Sequence, residues 1–206
     1  MAGNSRFASH VRLWLIVSPL MICTLAPFIQ DQSAFEISAA EQTSAEQVLG
    51  KSKAQSAVSL ANARFHKWFI ETGAVKASFS GSDASTTVSD GGASDLGRGW
   101  MKHFWLTIYR GLYRAGVAYH WLFGAIILLL AVFNDGSVTR KIRAASAGFA
   151  NPVSFHVAAH GLTLCFGLGA SALLLPFSLL ANWWTYVVCL VGLLFWRLAA
   201  SFHVGK

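Results

Sequence analysis

The amino-acid sequence predicts an all-α membrane protein with about four transmembrane helices and both termini in the cytoplasm. Two observations support this fold class. Hydrophobic residues make up 54% of the 206 residues and charged residues only 12%, with a mean hydropathy of +0.49. This composition is too apolar for a soluble domain of this length. The apolar residues also form long uncharged runs flanked by Lys and Arg, an arrangement that orients helices across a bilayer.

The first apolar run covers residues 13–29 and contains no charged side chain. A helix of this length is just sufficient to cross the hydrocarbon core. Such a segment can be a cleaved signal peptide or a retained anchor. Because Pro27 directly follows the small-x-small site Thr24-Leu25-Ala26 and is a poor residue after a cleavage point, we predict that residues 1–30 form a retained N-terminal membrane anchor.

Residues 31–98 are polar and are predicted to form a periplasmic region between helices one and two. The part from 31 to 76 contains no proline and favours one or two amphipathic helices, broken at Gly50. The stretch 78–97 is rich in Ser, Gly and Asp. Since such a stretch cannot bury enough apolar surface to offset its ordering entropy, we predict a flexible, disordered linker there.

Residues 99–206 are predicted to form a three-helix membrane domain. Its first helix, from Gly99 to Phe133, would be about 52 Å long and would exceed the roughly 30 Å hydrocarbon core. Its beginning therefore lies outside the core, and Arg110 and Arg114 share one face there as interfacial polar residues. The two arginines could pair with an acidic partner, line a polar path or extend to lipid phosphates.

The tripeptide Asn-Asp-Gly at 134–136 predicts the end of this helix, followed by a basic cytoplasmic loop over residues 134–152. The next apolar run, residues 162–196, has no charged side chain and is too long for a single span. It predicts a helical hairpin that turns at Pro176. The two spans of the hairpin are about 152–175 and 183–202.

The distribution of basic residues predicts the orientation. Basic residues precede the first helix and follow the second, so both groups lie on the same side of a four-helix protein. Residues 30–102 hold seven basic and eight acidic side chains and carry little orienting bias. The net charge of +7 does not indicate direct nucleic-acid binding, because the basic residues lie beside apolar runs rather than among stacking aromatics.

Two histidines, His156 and His160, lie four residues apart where the third span begins after Pro152. Two histidines at this spacing can bind zinc. The HVAAH sequence, however, lacks the acidic residue of HExxH and supplies only half of a ligand set. His120 could join one of them as a haem ligand; otherwise the pair contacts lipid, the basic loop or a partner. We predict no metal and no cofactor, because no complete ligand set surrounds the two histidines. We also predict no catalytic residues, because phosphate loops, nucleophile elbows and paired carboxylates are absent from the sequence.

The segment DGSVTRKIRAASAGFANPVSFHVAAH, residues 135–160, resembles inner-membrane proteins of unknown function encoded on integrating conjugative elements and related plasmids. In that family an Asp-Gly and basic loop precedes a Gly-aromatic-x-Ser/Asn-Pro turn and a helix start that carries histidines. The matching residues are Asp135, Gly136, Arg140, Lys141, Arg143, Gly148, Phe149, Pro152, His156 and His160.

The resemblance implies a non-enzymatic, multi-pass accessory protein of a conjugative type IV secretion system in the bacterial inner membrane. Its expected partners are the lipid bilayer and other conjugation or secretion membrane proteins; a homo-oligomer stays an open alternative. Two alternatives are a histidine-ligated haem or metal oxidoreductase and an entry-exclusion or immunity-like factor. The hypothetical partner-binding residues are Arg140, Lys141, Arg143, Phe149, Pro152, His156 and His160.

Overall fold

A computed structural model of the chain describes residues 6–80, 93–146 and 152–202. Every regular element in these ranges is helical, which confirms the all-α class there. By length and composition, four helices in these ranges could cross a membrane, as predicted; their orientation stays a prediction. The four candidate spans are Ser9–Phe28, Ser94–Ala145, Val153–Leu174 and Asn182–Ser201.

The chain forms two compact units, each assembled from separated segments. The first unit comprises Met1–Ser18, Tyr119–Ala170 and Asn182–Lys206. The second unit comprises Pro19–Ala118 and Ser171–Ala181.

The N-terminal segment is helical but irregular. Helix α1 (Arg6–Arg12) continues into a π-helical turn, Leu13–Val17, and then into α2 (Ser18–Leu25). A 3₁₀ turn, Ala26–Phe28, follows α2 and has Pro27 near its start. A π-helical turn accommodates an extra residue within a helix, so it shifts the side chains on either side relative to one another.

In the described part of the polar region, α3 (Ala39–Leu49) and α4 (Lys51–Phe65) are separated by Gly50. Gly50 has a φ of +84°, which other residues adopt only with strain. The predicted break at this glycine is therefore confirmed. A π-helical turn, His66–Ile70, extends α4, and the short helix α5 (Ala74–Ser80) follows.

The predicted flexible linker, residues 78–97, is wrong at both ends. Ser78–Ser80 belong to α5, where the Trp105 Nε1 donates a hydrogen bond to the Ser78 hydroxyl at 2.9 Å. Residues 93–97 form the start of a helix. The first of these ends is ordered by a contact with a residue distant in sequence, which composition alone does not reveal. Residues 81–92, the middle of the predicted linker, lie outside the described residues.

Three long helices complete the fold: α6 (Ala93–Ala145), α7 (Pro152–Leu174) and α8 (Asn182–Ser201). The apolar run at 162–196 is divided between α7 and α8, as predicted. The intervening turn, residues 175–181, contains Pro176, which cannot continue a helix.

The prediction that Asn-Asp-Gly at 134–136 ends α6 is wrong, because the helix continues to Ala145. Asp135 and Gly136 contact α8 instead. The Trp196 Nε1 donates to Asp135 Oδ2 at 2.6 Å. A Cβ atom at Gly136 would lie 2.8 Å from the Cβ of Ala199, so the glycine permits close helix packing. Packing against another helix therefore outweighs the local preference of this tripeptide for a turn.

The predicted basic loop, residues 134–152, is consequently mostly helical. Its basic side chains, Arg140, Lys141 and Arg143, lie in the last turns of α6. Residues 147–151 lie outside the described residues.

Candidate functional site

A buried cluster of three charged side chains lies in the second unit. Glu41 comes from α3, and Arg110 and Arg114 come from α6, one helical turn apart. Their exposed fractions are 2%, 2% and 1%. We call these three residues the Glu41–arginine cluster. Buried charges are expensive unless each is paired and hydrogen-bonded, so the contacts of each group decide whether the arrangement is stable.

Arg114 and Glu41 form a two-pronged ion pair. Arg114 Nε lies 2.7 Å from Glu41 Oε1, and Arg114 Nη2 lies 3.1 Å from Glu41 Oε2. Arg110 Nη2 approaches the same Oε2 at 3.5 Å. The planar guanidinium of arginine matches this geometry with a carboxylate, whereas lysine offers only a point charge.

Arg114 also caps the C-terminus of α7. Its Nη1 donates to the carbonyl oxygens of Ala172, Leu173 and Leu175 at 2.9, 3.3 and 2.8 Å, and its Nη2 donates to that of Phe177. The last carbonyls of a helix have no donors within the helix and carry partial negative charge. The guanidinium supplies both the missing donors and the complementary charge.

Arg110 holds a second set of backbone carbonyls. Its Nη1 donates to the carbonyl of Ala34, and its Nη2 donates to the carbonyl of Phe177 at 2.8 Å. Its Nε is buried and has no hydrogen-bond partner among the described residues. The cluster pairs one carboxylate with two guanidinium groups, so carbonyl dipoles must compensate the excess positive charge.

One face of α3 packs along the turn between α7 and α8. The side chains on this face are three residues apart, so they lie one above the other on the helix. Two of them accept hydrogen bonds from buried backbone N–H groups of the turn that would otherwise lack partners. The hydrogen-bonded pairs are Ser38–Ser178, Glu41–Leu179 N and Ser44–Ala181 N, at 2.8, 3.4 and 2.9 Å.

The structure therefore gives Arg110 and Arg114 an acidic partner, which is one of the alternatives predicted from their spacing. Their burial is inconsistent with side chains that extend to lipid phosphates. Glu41 was not singled out by sequence. Ser38-x-x-Glu41 matches a capping box, and Ser38 Oγ does accept from Glu41 N at 3.2 Å. The carboxylate, however, points to the arginines instead of back to the helix start.

Comparison with known proteins identifies the family. A family model described as IncC plasmid conjugative DNA transfer protein DtrJ-like matches residues 25–203. The chain belongs to the DtrJ-like family. The match covers most of the chain and includes the whole Glu41–arginine cluster, and it confirms the resemblance to plasmid-encoded conjugation proteins. Neither the curated proteins nor the solved structures contain a match.

The basic residues of this DtrJ-like chain that were predicted to bind a partner lie at the end of α6 in the first unit. The guanidinium carbon of Arg140 lies 5.8 Å from the centre of the Phe202 ring, a cation–π distance. Lys141 is exposed and Arg143 is half-buried. Pro152 is the first residue of α7, and Phe149 lies outside the described residues.

The two predicted histidines have different surroundings in the DtrJ-like fold. His156 is exposed, whereas His160 Nδ1 lies 3.1 Å from His10 Nδ1. Trp14 Nε1 donates to His10 Nε2 at 3.0 Å, so a neutral His10 donates through Nδ1 to His160. His160 thus links α7 to α1 within the first unit.

The described residues contain no group of three or more His, Cys, Asp or Glu side chains placed to hold a metal ion. His120 lies beside the ring of its neighbour Tyr119, with 6.1 Å between ring centres. The absence of a metal or haem in this DtrJ-like protein stays a prediction.

Proposed function

We propose that this DtrJ-like protein is an accessory inner-membrane component of a conjugative, type IV secretion apparatus and acts through protein–protein contacts. The family match over residues 25–203 carries the proposal, because it connects the chain to conjugative DNA transfer. Four helices of sufficient length and apolarity support a location in the bilayer.

The geometry of the Glu41–arginine cluster supports a structural role for the polar region. The charged groups contact one another and the backbone of the turn at 175–181, and in this way they fasten α3 to that turn. In the proposed topology this arrangement presents a folded surface in the periplasm, where α4 is available to envelope-spanning subunits. The basic end of α6 would face a cytoplasmic ATPase or coupling protein.

The function is tested by deleting the gene separately from donor and recipient cells. Loss from the donor is expected to lower the transfer frequency, and a copy supplied in trans should restore it. An entry-exclusion factor would behave differently, because its loss from a plasmid-carrying recipient would raise transfer into that recipient. Unchanged transfer from the deleted donor would overturn the proposal.

The proposed orientation predicts which positions an impermeant maleimide can reach. Single cysteines at Ser52 and Ser146 suit this test, because both residues are exposed and lie on opposite sides of the second candidate span in sequence. In a background with Cys23, Cys165 and Cys189 replaced by Ala, Ser52→Cys should react in intact spheroplasts. Ser146→Cys should react only after lysis. The reverse pattern would place both termini in the periplasm.

DNA transfer is expected to require arginine, and not only a positive charge, at the basic end of α6. Replacing Arg140 and Arg143 together with Lys preserves charge and therefore insertion, but it removes two-pronged recognition of a partner's carboxylates. At normal protein level in the donor, transfer should fall roughly tenfold, because the loss of one hydrogen bond to a charged group, about 1.5 kcal/mol, weakens partner binding by about that factor. Lys141→Arg is the matched control and should transfer normally. Normal transfer by the double variant would leave these residues as a topology signal alone.

A further inference from the structure

A pocket of 490 Å³ in the second unit lies where the first candidate span ends and α6 begins. Its volume is in the range of pockets that bind small ligands. One wall comes from residues 27–32 after α2, and the other from the first turns of α6. The side chains used below are Phe28, Gln32, Asp95, Trp100, Lys102 and His103, all of which line the pocket.

The walls of the pocket are held by contacts between α6 and residues 24–35. Trp100 Nε1 donates to the carbonyl of Thr24 at 3.1 Å. His103 Nδ1 lies 3.2 Å from the carbonyl of Pro27, and its ring stacks on Phe35 with 4.6 Å between ring centres. These contacts fix the aromatic side of the pocket before any ligand binds.

The polar side of the pocket carries one charge of each sign. Asp95 and Lys102 are seven residues apart on α6, two turns along one face, or about 10 Å. Lys102 Nζ donates to the amide oxygen of Gln32 at 2.7 Å, which directs the ammonium group to the pocket. The pocket thus offers a cation, an anion and an amide oxygen beside two aromatic rings.

This combination is complementary to a phosphoethanolamine group. Its phosphate would pair with Lys102, and its ammonium would donate hydrogen bonds to Asp95. The pocket adjoins the end of a candidate span, and Phe28 and Trp100 supply the aromatic surface typical of a membrane interface. A lipid whose headgroup binds at this interface can keep its acyl chains in the hydrocarbon core.

We propose that the pocket binds the headgroup of an ethanolamine phospholipid. The proposal rests on the membrane location in the proposed function, but it concerns a different site from the Glu41–arginine cluster. It predicts selectivity by headgroup chemistry. Choline has no N–H to donate to Asp95, and a glycerol headgroup has no ammonium, so lipids with either headgroup should bind weakly.

The test uses the purified full chain in detergent and follows thermal unfolding by circular dichroism. Dihexanoyl phosphatidylethanolamine should raise the midpoint in a saturable manner, because a ligand of the folded state stabilises it. Dihexanoyl phosphatidylcholine and phosphatidylglycerol should give at most a small rise. Free phosphoethanolamine distinguishes a lipid from a soluble ligand and should require at least a tenfold higher concentration.

A pair of glycines provides matched variants. A Cβ at Gly99 or at Gly97 would meet no atom within 4 Å, so at both positions a side chain can leave the backbone without a clash. Gly99 lines the pocket and Gly97 does not. Gly99→Phe should therefore weaken phosphatidylethanolamine binding at least tenfold, whereas Gly97→Phe should bind normally.

Charge variants test the headgroup assignment. Asp95→Asn and Lys102→Gln should each weaken binding at least fivefold, and Lys53→Gln, at an exposed position of α4, should not. Equal stabilisation by all three lipids, or normal binding by Gly99→Phe, would overturn the proposal, as would free phosphoethanolamine that binds as tightly as the lipid. The assay uses purified protein, so its outcome is independent of the transfer experiments.

Discussion

Replacing Glu41 with Gln is expected to lower the free energy of unfolding by about 3–5 kcal/mol, the cost of breaking a buried ion pair from one side. The substitution keeps the size of the side chain but leaves Arg110 and Arg114 buried without the carboxylate between them. The NH₂ of the new amide would also face the N–H groups of the arginines, and two donors cannot form a hydrogen bond with each other. Unfolding by denaturing detergent, followed by circular dichroism in mixed micelles, measures the loss.

Glu46→Gln is the matched control, because Glu46 lies on the same helix and is exposed. It should change stability by no more than about 0.5 kcal/mol. A double-mutant cycle between Glu41→Gln and Arg114→Gln should show a coupling above about 0.5 kcal/mol, as expected for directly paired groups. Additive effects, or equal effects of the two glutamate variants, would contradict the described cluster.

Gly167→Ala is expected to destabilise the chain by about 1–3 kcal/mol, the usual cost of overpacking. A Cβ at Gly167 would lie 2.5 Å from the Cβ of Trp14 and 2.7 Å from its carbonyl oxygen. Neither atom can move aside by a simple side-chain rotation, so α7 and the π-helical turn at Leu13–Val17 must separate. The same detergent unfolding measures the effect.

Gly169→Ala, two residues further along α7, should instead stabilise the chain. A Cβ there meets no atom within 4 Å, and alanine is favoured over glycine inside a helix by about 0.5–1 kcal/mol. The same substitution at two positions of one helix thus distinguishes the effect of packing on stability from the effect of helix propensity. Equal stabilities of the two variants would refute the close approach of Trp14 to Gly167.

The sequence predicted the features of the fold that depend on local chemistry. Apolar runs and their lengths located the candidate spans, and Gly50 located the break between α3 and α4, because each depends on neighbouring residues alone. The prediction of a turn at Asn-Asp-Gly, residues 134–136, was wrong because contacts with residues distant in sequence decide the structure there. Asp135 and Gly136 are used in contacts with α8, and packing of this kind outweighs turn preference.

The candidate site was only half predictable. The spacing of Arg110 and Arg114 showed that they share a face, and an acidic partner was one of three alternatives for them. Glu41, the partner in the structure, lies 69 and 73 positions away along the chain. Local pattern gave no reason to choose it over Glu36 or Glu46. His160 is a similar case, because its partner His10 is 150 residues distant. Pairings across such distances are set by the assembled helices.

The caps on α7 impose an order on how the protein is made. Arg114 precedes Phe177 by 63 residues, so a ribosome adding about 5–20 residues per second supplies the turn roughly 3–13 s after the arginine. Until then, Glu41 and the carbonyl of Ala34 are present to pair with the two guanidinium groups, but the carbonyls of the turn are not. The carbonyl of Phe177 is the last of these acceptors to be made, so the two buried guanidinium groups acquire their full set only when the turn before α8 has been synthesised. A nascent chain halted before the turn would leave these two guanidinium groups without several of their acceptors.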